Sequence, residues 1–471
     1  MRRAAELQRA ARRLAPWWGS NPALAASAVR RSTSLARSLG ESEPVSFAPS
    51  PLTTGWTSPA SYVLTRLPVD EATTLPGAVY HDPVFHEVEK KRLWRNSWVA
   101  VAELADVCNP GDVLPVTVAG QPLILAMDNK GTLRCFHNVC RHRGAQLVDK
   151  KCEKRRTILC PYHRWGYALD GRLVGTPAFD ADESGKAVPE KLREKFRTHH
   201  VKDFDKKSMS LYPVRMDTAL GMAFVNLSND APPLREWLGD ILVALDEYLP
   251  ALETPGDLVA TYRKTYRPAS DWKVLVENFL EYYHLPAVHP ALCDVSGVDE
   301  HERRQGTGMY MCFATDPLNG DSTNGTTALD PGRLKTWPGL SAKNSNAAWH
   351  ISIFPNVFFS LYPDNFFRVI LQTDGPGRSI ENATLLTHRD SPAMPGADQA
   401  LEEIFNFWDN VNSEDIDICE KVQIGTGAEP YSGGRFSFRF EEPLHRFQNM
   451  VIDKMVGEPS NRIPKGDGTP Y

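Results

Sequence analysis

Four residues in two short runs have the chemistry to hold a metal group. Cys140-Arg141-His142 is followed, after 17 intervening residues, by Cys160-Pro161-Tyr162-His163. Two cysteines and two histidines suit tetrahedral zinc, but zinc fingers usually pair Cys with Cys and His with His. Here each run supplies one of each. That suits a two-iron, two-sulfide cluster in which thiolates hold one iron and imidazoles the other. Neutral imidazoles leave less negative charge on their iron, which raises its potential and makes it the site of reduction. A second set lies downstream, where His284 and His289 are close enough in sequence to converge on one metal. Two imidazoles on ferrous iron need a carboxylate to complete a facial triad that leaves positions open for dioxygen. The run from Asn412 to Gln423 offers Glu414, Asp415 and Asp417. On a helix, Asp415 shares the apolar inward face of Trp408 and Val411, and Glu414 and Asp417 are expected to point elsewhere as solvated charges.

The neighbourhoods of both sets resemble one family. Phe136-His137-Asn138-Val139-Cys140-Arg141-His142-Arg143-Gly144 and Cys160-Pro161-Tyr162-His163-Arg164-Trp165 are similar to the Rieske domain of ring-hydroxylating and related oxygenases. The run from Asp271 to Pro290, with Trp272-Lys273, Glu277-Asn278, Glu281, His284 and His289, resembles the mononuclear iron segment of the same oxygenases. On these motifs the chain is identified as a member of the Rieske non-haem iron oxygenase alpha-subunit family, choline monooxygenase-like. The resemblance implies that Cys140, His142, Cys160 and His163 hold a [2Fe–2S] cluster. It implies that His284, His289 and Asp415 hold a mononuclear Fe(II), because the family places its Asp five residues before a Glu (here Glu420) followed by Val-Gln (Val422-Gln423). It further implies that Glu281 bridges a cluster-ligating histidine of a neighbouring subunit to the iron-ligating histidine, which calls for a homotrimer. Asn278 is grouped with Glu281 as a candidate catalytic residue. Arg164 departs from the family, which more often has Gly there, and Asp271 stands where the family has Asn. Respiratory-chain Rieske proteins add a cysteine pair that this chain lacks, since Gly144 stands two residues after His142. His137 is expected to be structural.

The elements that must position these residues follow from texture. From His81 to Trp94 a short helix is predicted. Short β-rich runs such as Val113–Val118 and Leu123–Ala126, punctuated by Asn109-Pro110-Gly111 and Asp128-Asn129-Lys130-Gly131, predict small antiparallel strands to about Asn226. Beyond Pro232, helices are predicted over Leu234–Leu249, Trp272–His289 and Ala400–Val422, with Pro286 kinking the second between its histidines. Strands are predicted over Leu258–Tyr266, Ile351–Leu361, Phe367–Thr373 and Asn382–His388. The expected fold is α+β: a small all-β Rieske domain plus a helix-grip α+β catalytic domain built on an antiparallel sheet. The expected division is a leader over residues 1–45, a linker and N-terminal helix over 46–96, the Rieske domain over 97–228 and the catalytic domain over 229–471.

Composition excludes some function classes. A net charge of -5 gives no reason to expect nucleic acid as partner. The most apolar stretch, Val113 to Met127, is broken by Pro115, Gly120 and Pro122, too soon for a membrane helix. Eight cysteines in 471 residues are too few for a disulfide scaffold. The first forty residues carry eight arginines against the single acid Glu6, with much Ala and Ser, which reads as an organelle transit peptide. The expected location is the plastid stroma, with the mitochondrial matrix as alternative and the cytoplasm if this segment is a plain basic tail.

The family reaction converts substrate-H, O₂, two electrons and two protons to substrate-OH and water. No G-x-G-x-x-G motif follows a strand, so flavin and nicotinamide are expected on a separate reductase. Lys150, Lys151, Lys154, Arg155 and Arg156 form a basic collar between the cluster ligands, suited to docking an acidic ferredoxin-type donor. The Glu281-Tyr282-Tyr283-His284 run resembles that of oxygenases acting on quaternary ammonium compounds, which implies choline or a related compound as substrate, and rings such as Tyr283, Trp349, Phe358, Phe359, Tyr362 and Trp408 could cage a cation. The alternative is hydroxylation or demethylation of an aromatic or other apolar compound. More remote is a Rieske protein that only carries electrons, with about two irons per chain rather than about three.

Overall fold

Among the described residues of the first half, alternating and β-branched apolar runs fold as nine strands. They are β1 (Val99–Glu103), β2 (Val113–Val118), β3 (Gln121–Met127), β4 (Leu133–His137), β5 (Thr157–Leu159), β6 (Gly166–Ala168), β7 (Leu173–Gly175), β8 (Pro213–Ala219) and β9 (Met222–Asn226). Six of them form one antiparallel sheet in the order β1-β9-β8-β4-β3-β2, and β5, β6 and β7 form a second, three-stranded one. The β2–β3 hairpin turns on Ala119-Gly120, at φ 50° and 77°, a turn that needs left-handed backbone at both positions. This computed structural model describes residues 55–459 apart from residues 178, 180–200, 229, 255, 299–300, 305, 317 and 319–332. The expected leader, residues 1–45, lies outside the described residues.

Among its described residues, the second half is built on seven antiparallel strands. These are β10 (Leu258–Tyr266), β11 (His301–Arg303), β12 (Tyr310–Thr315), β13 (Ala348–Ile353), β14 (Val357–Leu361), β15 (Asn365–Thr373) and β16 (Ser379–His388), ordered β10-β16-β15-β14-β13-β12-β11. The predicted single strand Ile351–Leu361 is a hairpin: the chain reverses between Ile353 and Val357, which pair with each other. Helix periodicity holds best where the helix is long. The stretch expected from Ala400 to Val422 runs from Ala397 to Thr426, with Leu401, Ile404 and Trp408 buried.

Two helix expectations need correction. Leu234–Leu249 is not one helix but short pieces at Leu234–Leu238 and Ile241–Ala244, with a third at Leu249–Glu253. Gly239, at φ 64°, ends the first piece, and a Cβ there would lie 2.5 Å from the Cα of Gly308. The helix predicted over Trp272–His289 stops at Phe279. Pro286 does not kink it. The chain leaves the helix before the histidines, and Pro286 opens a separate turn, Leu285–Val288, for which His284 is the N-cap. Nearer the N-terminus, Pro83–Glu89 is α-helical and Lys90–Trp94 widens to a π turn.

The two halves are locked together by buried polar groups. Arg368 on β15 donates through Nε to Glu103 on β1 at 2.9 Å, and through a second nitrogen to the other carboxylate oxygen. Asn356 accepts from the Ala100 N–H at 3.1 Å and donates to its carbonyl at 2.8 Å. A buried pair this well hydrogen-bonded fixes how β1 meets the catalytic sheet more than it adds net stability.

Candidate metal centres

The first loop leaves β4 at His137 and is tied down by Asn138, which is 1% exposed. Its Nδ2 donates to the Val148 carbonyl at 2.6 Å, and its Oδ1 accepts from the N–H groups of Leu147 and Val148 at 2.9 and 3.0 Å. The second loop is the tip of the β5–β6 hairpin, where the Cys160 N–H donates to the Trp165 carbonyl at 2.8 Å and the Arg164 N–H to the Cys160 carbonyl at 3.1 Å. Closing that tip takes Arg164 to φ 62°, the left-handed region that glycine occupies freely. This is the position where the resemblance has Gly, so the loop keeps its path and Arg164 carries the strain.

The tips face each other. The His142 and His163 rings lie 4.6 Å apart, and His142 stacks on Trp165 at 4.8 Å. Cys140 and Cys160 are buried. The Tyr167 hydroxyl accepts from the Arg141 N–H at 3.0 Å, which leaves its proton to donate toward the Cys140 sulfur at 3.3 Å. The N–H groups of Tyr162 and His163 hydrogen-bond to Cys160. The Nδ1 of His142 is buried and has no hydrogen-bond partner among the described residues. Two thiols supplied with donors, two imidazoles and an unpaired ring nitrogen fit a [2Fe–2S] cluster. Asn138 and Tyr167 were not singled out from the sequence. A lone Asn between strand and ligand loop was the available signal.

Further along, Asp271 caps the helix Trp272–Phe279 by accepting from the Lys273 N–H at 3.1 Å, and its carboxylate pairs with the buried Lys273 ammonium at 2.7 Å. An Asp in place of the family's Asn thereby gains a charge partner, shared with Glu89 at 2.9 Å. After the helix ends, Glu281 organises the turn. Its Oε2 accepts from the N–H groups of Tyr283 and His284 at 2.5 and 3.1 Å, and its Oε1 takes the His284 Nδ1 hydrogen at 2.5 Å. The His284 and His289 rings come to 5.1 Å. The long helix Ala397–Thr426 presents Asp415 to both: Oδ1 lies 3.5 Å from His284 Nε2 and 2.8 Å from His289 Nε2. The three ligand atoms lie within 4.8 Å of one another, the set among the described residues that could hold a metal ion. Burial opposes charge on His284, but hydrogen bonds to Asp415 and Glu281 outweigh it and take its pKa to about 10. Burial also works against charge on Asp415, and the two imidazoles outweigh it, keeping its carboxyl below the usual range. A cation replaces the shared protons in such a site.

Glu414 is exposed, as expected, but it is not only a solvated charge: its Oε2 lies 2.7 Å from His289 Nδ1. Adjacent helix positions diverge by about 100°, but a glutamate is long enough to reach round. Asp417 does stay on the solvent face, paired with Lys421 one turn on.

Beside the triad opens a cavity with about 640 Å³ of empty volume. Asn278 and Glu281 reach its wall, together with Phe279, Phe313, Phe358, Phe359 and Trp408. Of the rings picked from the sequence, Tyr283 is instead 63% exposed. Trp349 sits under the Arg304 guanidinium.

Two metal-ligand constellations on an all-β domain and an α+β domain define an iron–sulfur-dependent oxygenase component. Residues 97–197 match the Rieske [2Fe-2S] domain, and residues 255–457 match the ring hydroxylating alpha subunit catalytic domain. The chain belongs to the Rieske non-haem iron oxygenase alpha-subunit family, and its two domains imply the Rieske cluster and a mononuclear iron. It is 27% identical over 419 residues to the glycine betaine monooxygenase oxygenase subunit of Chromohalobacter salexigens, covering 83% of this chain and 88% of that one. It is 25% identical over 399 residues to the chloroplastic choline monooxygenase of Arabidopsis thaliana, covering 82% and 84%. Among solved structures, the quaternary ammonium Rieske monooxygenase CntA in complex with L-carnitine shares the fold at a TM-score of 0.64 and 21% identity, covering 82% of this chain and 96% of that one.

Proposed function

We propose that this chain is the terminal oxygenase of a monooxygenase system that hydroxylates a small quaternary ammonium compound, choline first among the candidates, with electrons from a ferredoxin-type donor. The observation that carries the reading is the convergence of His284 Nε2, His289 Nε2 and Asp415 Oδ1 on the wall of an aromatic cavity. Aromatic rings line it, and ring faces attract a quaternary ammonium that cannot donate hydrogen bonds. Relatives named for glycine betaine, carnitine and choline support the substrate class.

Cys140, His142, Cys160 and His163 would hold the cluster, and His284, His289 and Asp415 the mononuclear iron. When bound, the two groups supply stepwise electron delivery and dioxygen activation, with one oxygen atom entering a C–H bond and the other leaving as water. The rest is done by the chain. Glu281 and Glu414 each hold the Nδ1 hydrogen of a histidine and so turn both Nε2 atoms inward. Glu281 in addition serves as the link to the cluster histidine of a neighbouring subunit in a homotrimer. The phenylalanine wall excludes water. Residues 1–45 direct the chain to the plastid stroma, in keeping with the chloroplastic Arabidopsis relative.

The test is oxygen uptake by the iron-loaded protein with reduced ferredoxin and a panel of choline, glycine betaine, carnitine and aromatic acids. Uptake matched by hydroxylated product is expected with a quaternary ammonium compound. Turnover of aromatic acids alone would replace that substrate class, and a chain that loads the cluster but binds no further iron would overturn the reading as an oxygenase.

A further inference from the structure

One wall of the cavity carries polar groups that the protein itself does not satisfy. His350 on β13 is 5% exposed and lines the cavity. Its Nδ1 is held at 2.9 Å by the hydroxyl of Ser360, its cross-strand partner on β14, while its Nε2 has no partner among the described residues. Trp408, on the long helix, is 4% exposed and lines the same cavity, and its Nε1 is equally without a partner. Between them stands Tyr362, fully buried, with its ring 6.2 Å from His350 and 5.7 Å from Trp408, edge-on to both. Its hydroxyl is the third unpartnered polar atom. One such group in a folded protein calls for an explanation, and two on one cavity wall, joined through the ring of a third behind them, call for a common one.

Their chemistry narrows what would satisfy them. An indole N–H is a donor only. Burial raises the pKa of the Tyr362 phenol, so it keeps its proton to donate. Burial, and secondarily the neighbouring His301, push the His350 pKa down to about 3, and burial brings His301 to about 4, so neither is a cation near neutrality. No Lys or Arg lines the cavity among the described residues. The Trp408 N–H, together with the Nε2–H that His350 carries when the Ser360 hydroxyl donates to its Nδ1, offers the cavity uncharged donors, which match an acceptor oxygen. This wall is also distinct from the ring faces that suit the cationic end of the ligand.

We propose that His350 and Trp408, with Tyr362 packed behind them, form an oxygen subsite, which binds the hydroxyl or carboxylate oxygen of a quaternary ammonium substrate and discriminates oxygenated ligands from oxygen-free ones. Ser360 is its positioning residue, setting which ring nitrogen of His350 faces the ligand. The assignment rests on the reading of this cavity as a quaternary ammonium site. It places specificity in neutral hydrogen-bond donors, whose loss leaves apolar and cation–π contacts in place.

The test is equilibrium dialysis of the iron-loaded protein against choline, glycine betaine and propyltrimethylammonium, which replaces the choline hydroxyl by a methyl group. The wild type should bind choline or glycine betaine about tenfold tighter than propyltrimethylammonium, as expected for two or more hydrogen bonds. His350→Phe removes both ring nitrogens and Trp408→Phe one N–H. Each should cut that ratio about three- to tenfold. Ser360→Ala should reduce the ratio less, as a positioning role requires. Ratios that stay at the wild-type value in both variants overturn the subsite, as does an equal loss for all three ligands, which would mark a damaged cavity. Equal affinity of the wild type for all three overturns the subsite while leaving the quaternary ammonium reading intact. Failure of all three to bind sinks that reading itself.

Discussion

Glu414 takes the Nδ1 hydrogen of His289 at 2.7 Å while Asp415, next to it on the same helix, reaches the Nε2 of that ring at 2.8 Å. One helical turn therefore grips both nitrogens of a single imidazole, and on the proposed metal site it decides which one faces the ion. Glu414→Ala should weaken iron binding about 10- to 100-fold, the usual cost of losing the group behind a ligating histidine. Iron retained per chain after dialysis against graded chelator measures it. Asp417→Ala, on the solvent side of that helix, should leave the curve where it is.

The basic collar is a rigid surface. Lys150, Lys151, Lys154, Arg155 and Arg156 are exposed, and the loop is stapled to the start of β2 by paired backbone hydrogen bonds of 2.8 Å between Val113 and Cys152. Lys151 lies 3.5 Å from Glu153, so part of its charge is shared. Charge reversal at Lys151, Arg155 and Arg156 together should slow cluster reduction by ferredoxin about tenfold or more at low salt, with the gap closing as ionic strength rises. Stopped-flow reduction reads this, and equal rates at low salt would remove the collar from the docking surface.

Acid should destabilise the catalytic sheet through two histidines. His301 and His350 are held neutral, with pKa values of about 4 and 3 against 6.5 unfolded. With the folded value depressed, their contribution is complete above pH 6.5 and drains away as pH falls toward 4. At pH 5 each imidazole accounts for about 2 kcal/mol. Denaturant midpoints at pH 7 and pH 5 should differ less in His350→Gln than in the wild type, since glutamine does not titrate.

Arg164 sits at φ 62°, a conformation that costs a side-chain-bearing residue on the order of 1 kcal/mol. Arg164→Gly should therefore hold or raise the melting temperature, despite the added freedom of glycine in the unfolded chain. The cluster's absorption spectrum should not move. A clear fall in melting temperature would show that the arginine side chain contributes packing that offsets its strain.

The sequence alone was enough for the ligand runs and the strand-rich texture around them, because both are local. Cys140-x-His142 and Cys160-x-x-His163 each occupy one tight loop, and the 3.6-residue period of the long helix near Trp408 and Asp415 is written in adjacent residues. What needed the fold was every distance across the chain. Whether His284 and His289 ride on a helix was decided by where Glu281 finds backbone donors, which ends the helix at Phe279. Glu414 became the second hand on His289 because the packing of the turn that ends at His289 against the long helix brings residues 125 positions apart to 2.7 Å. The unpaired atoms of His350, Tyr362 and Trp408 are invisible in one dimension for the same physical reason: a polar group is unsatisfied only relative to neighbours that tertiary packing supplies or withholds.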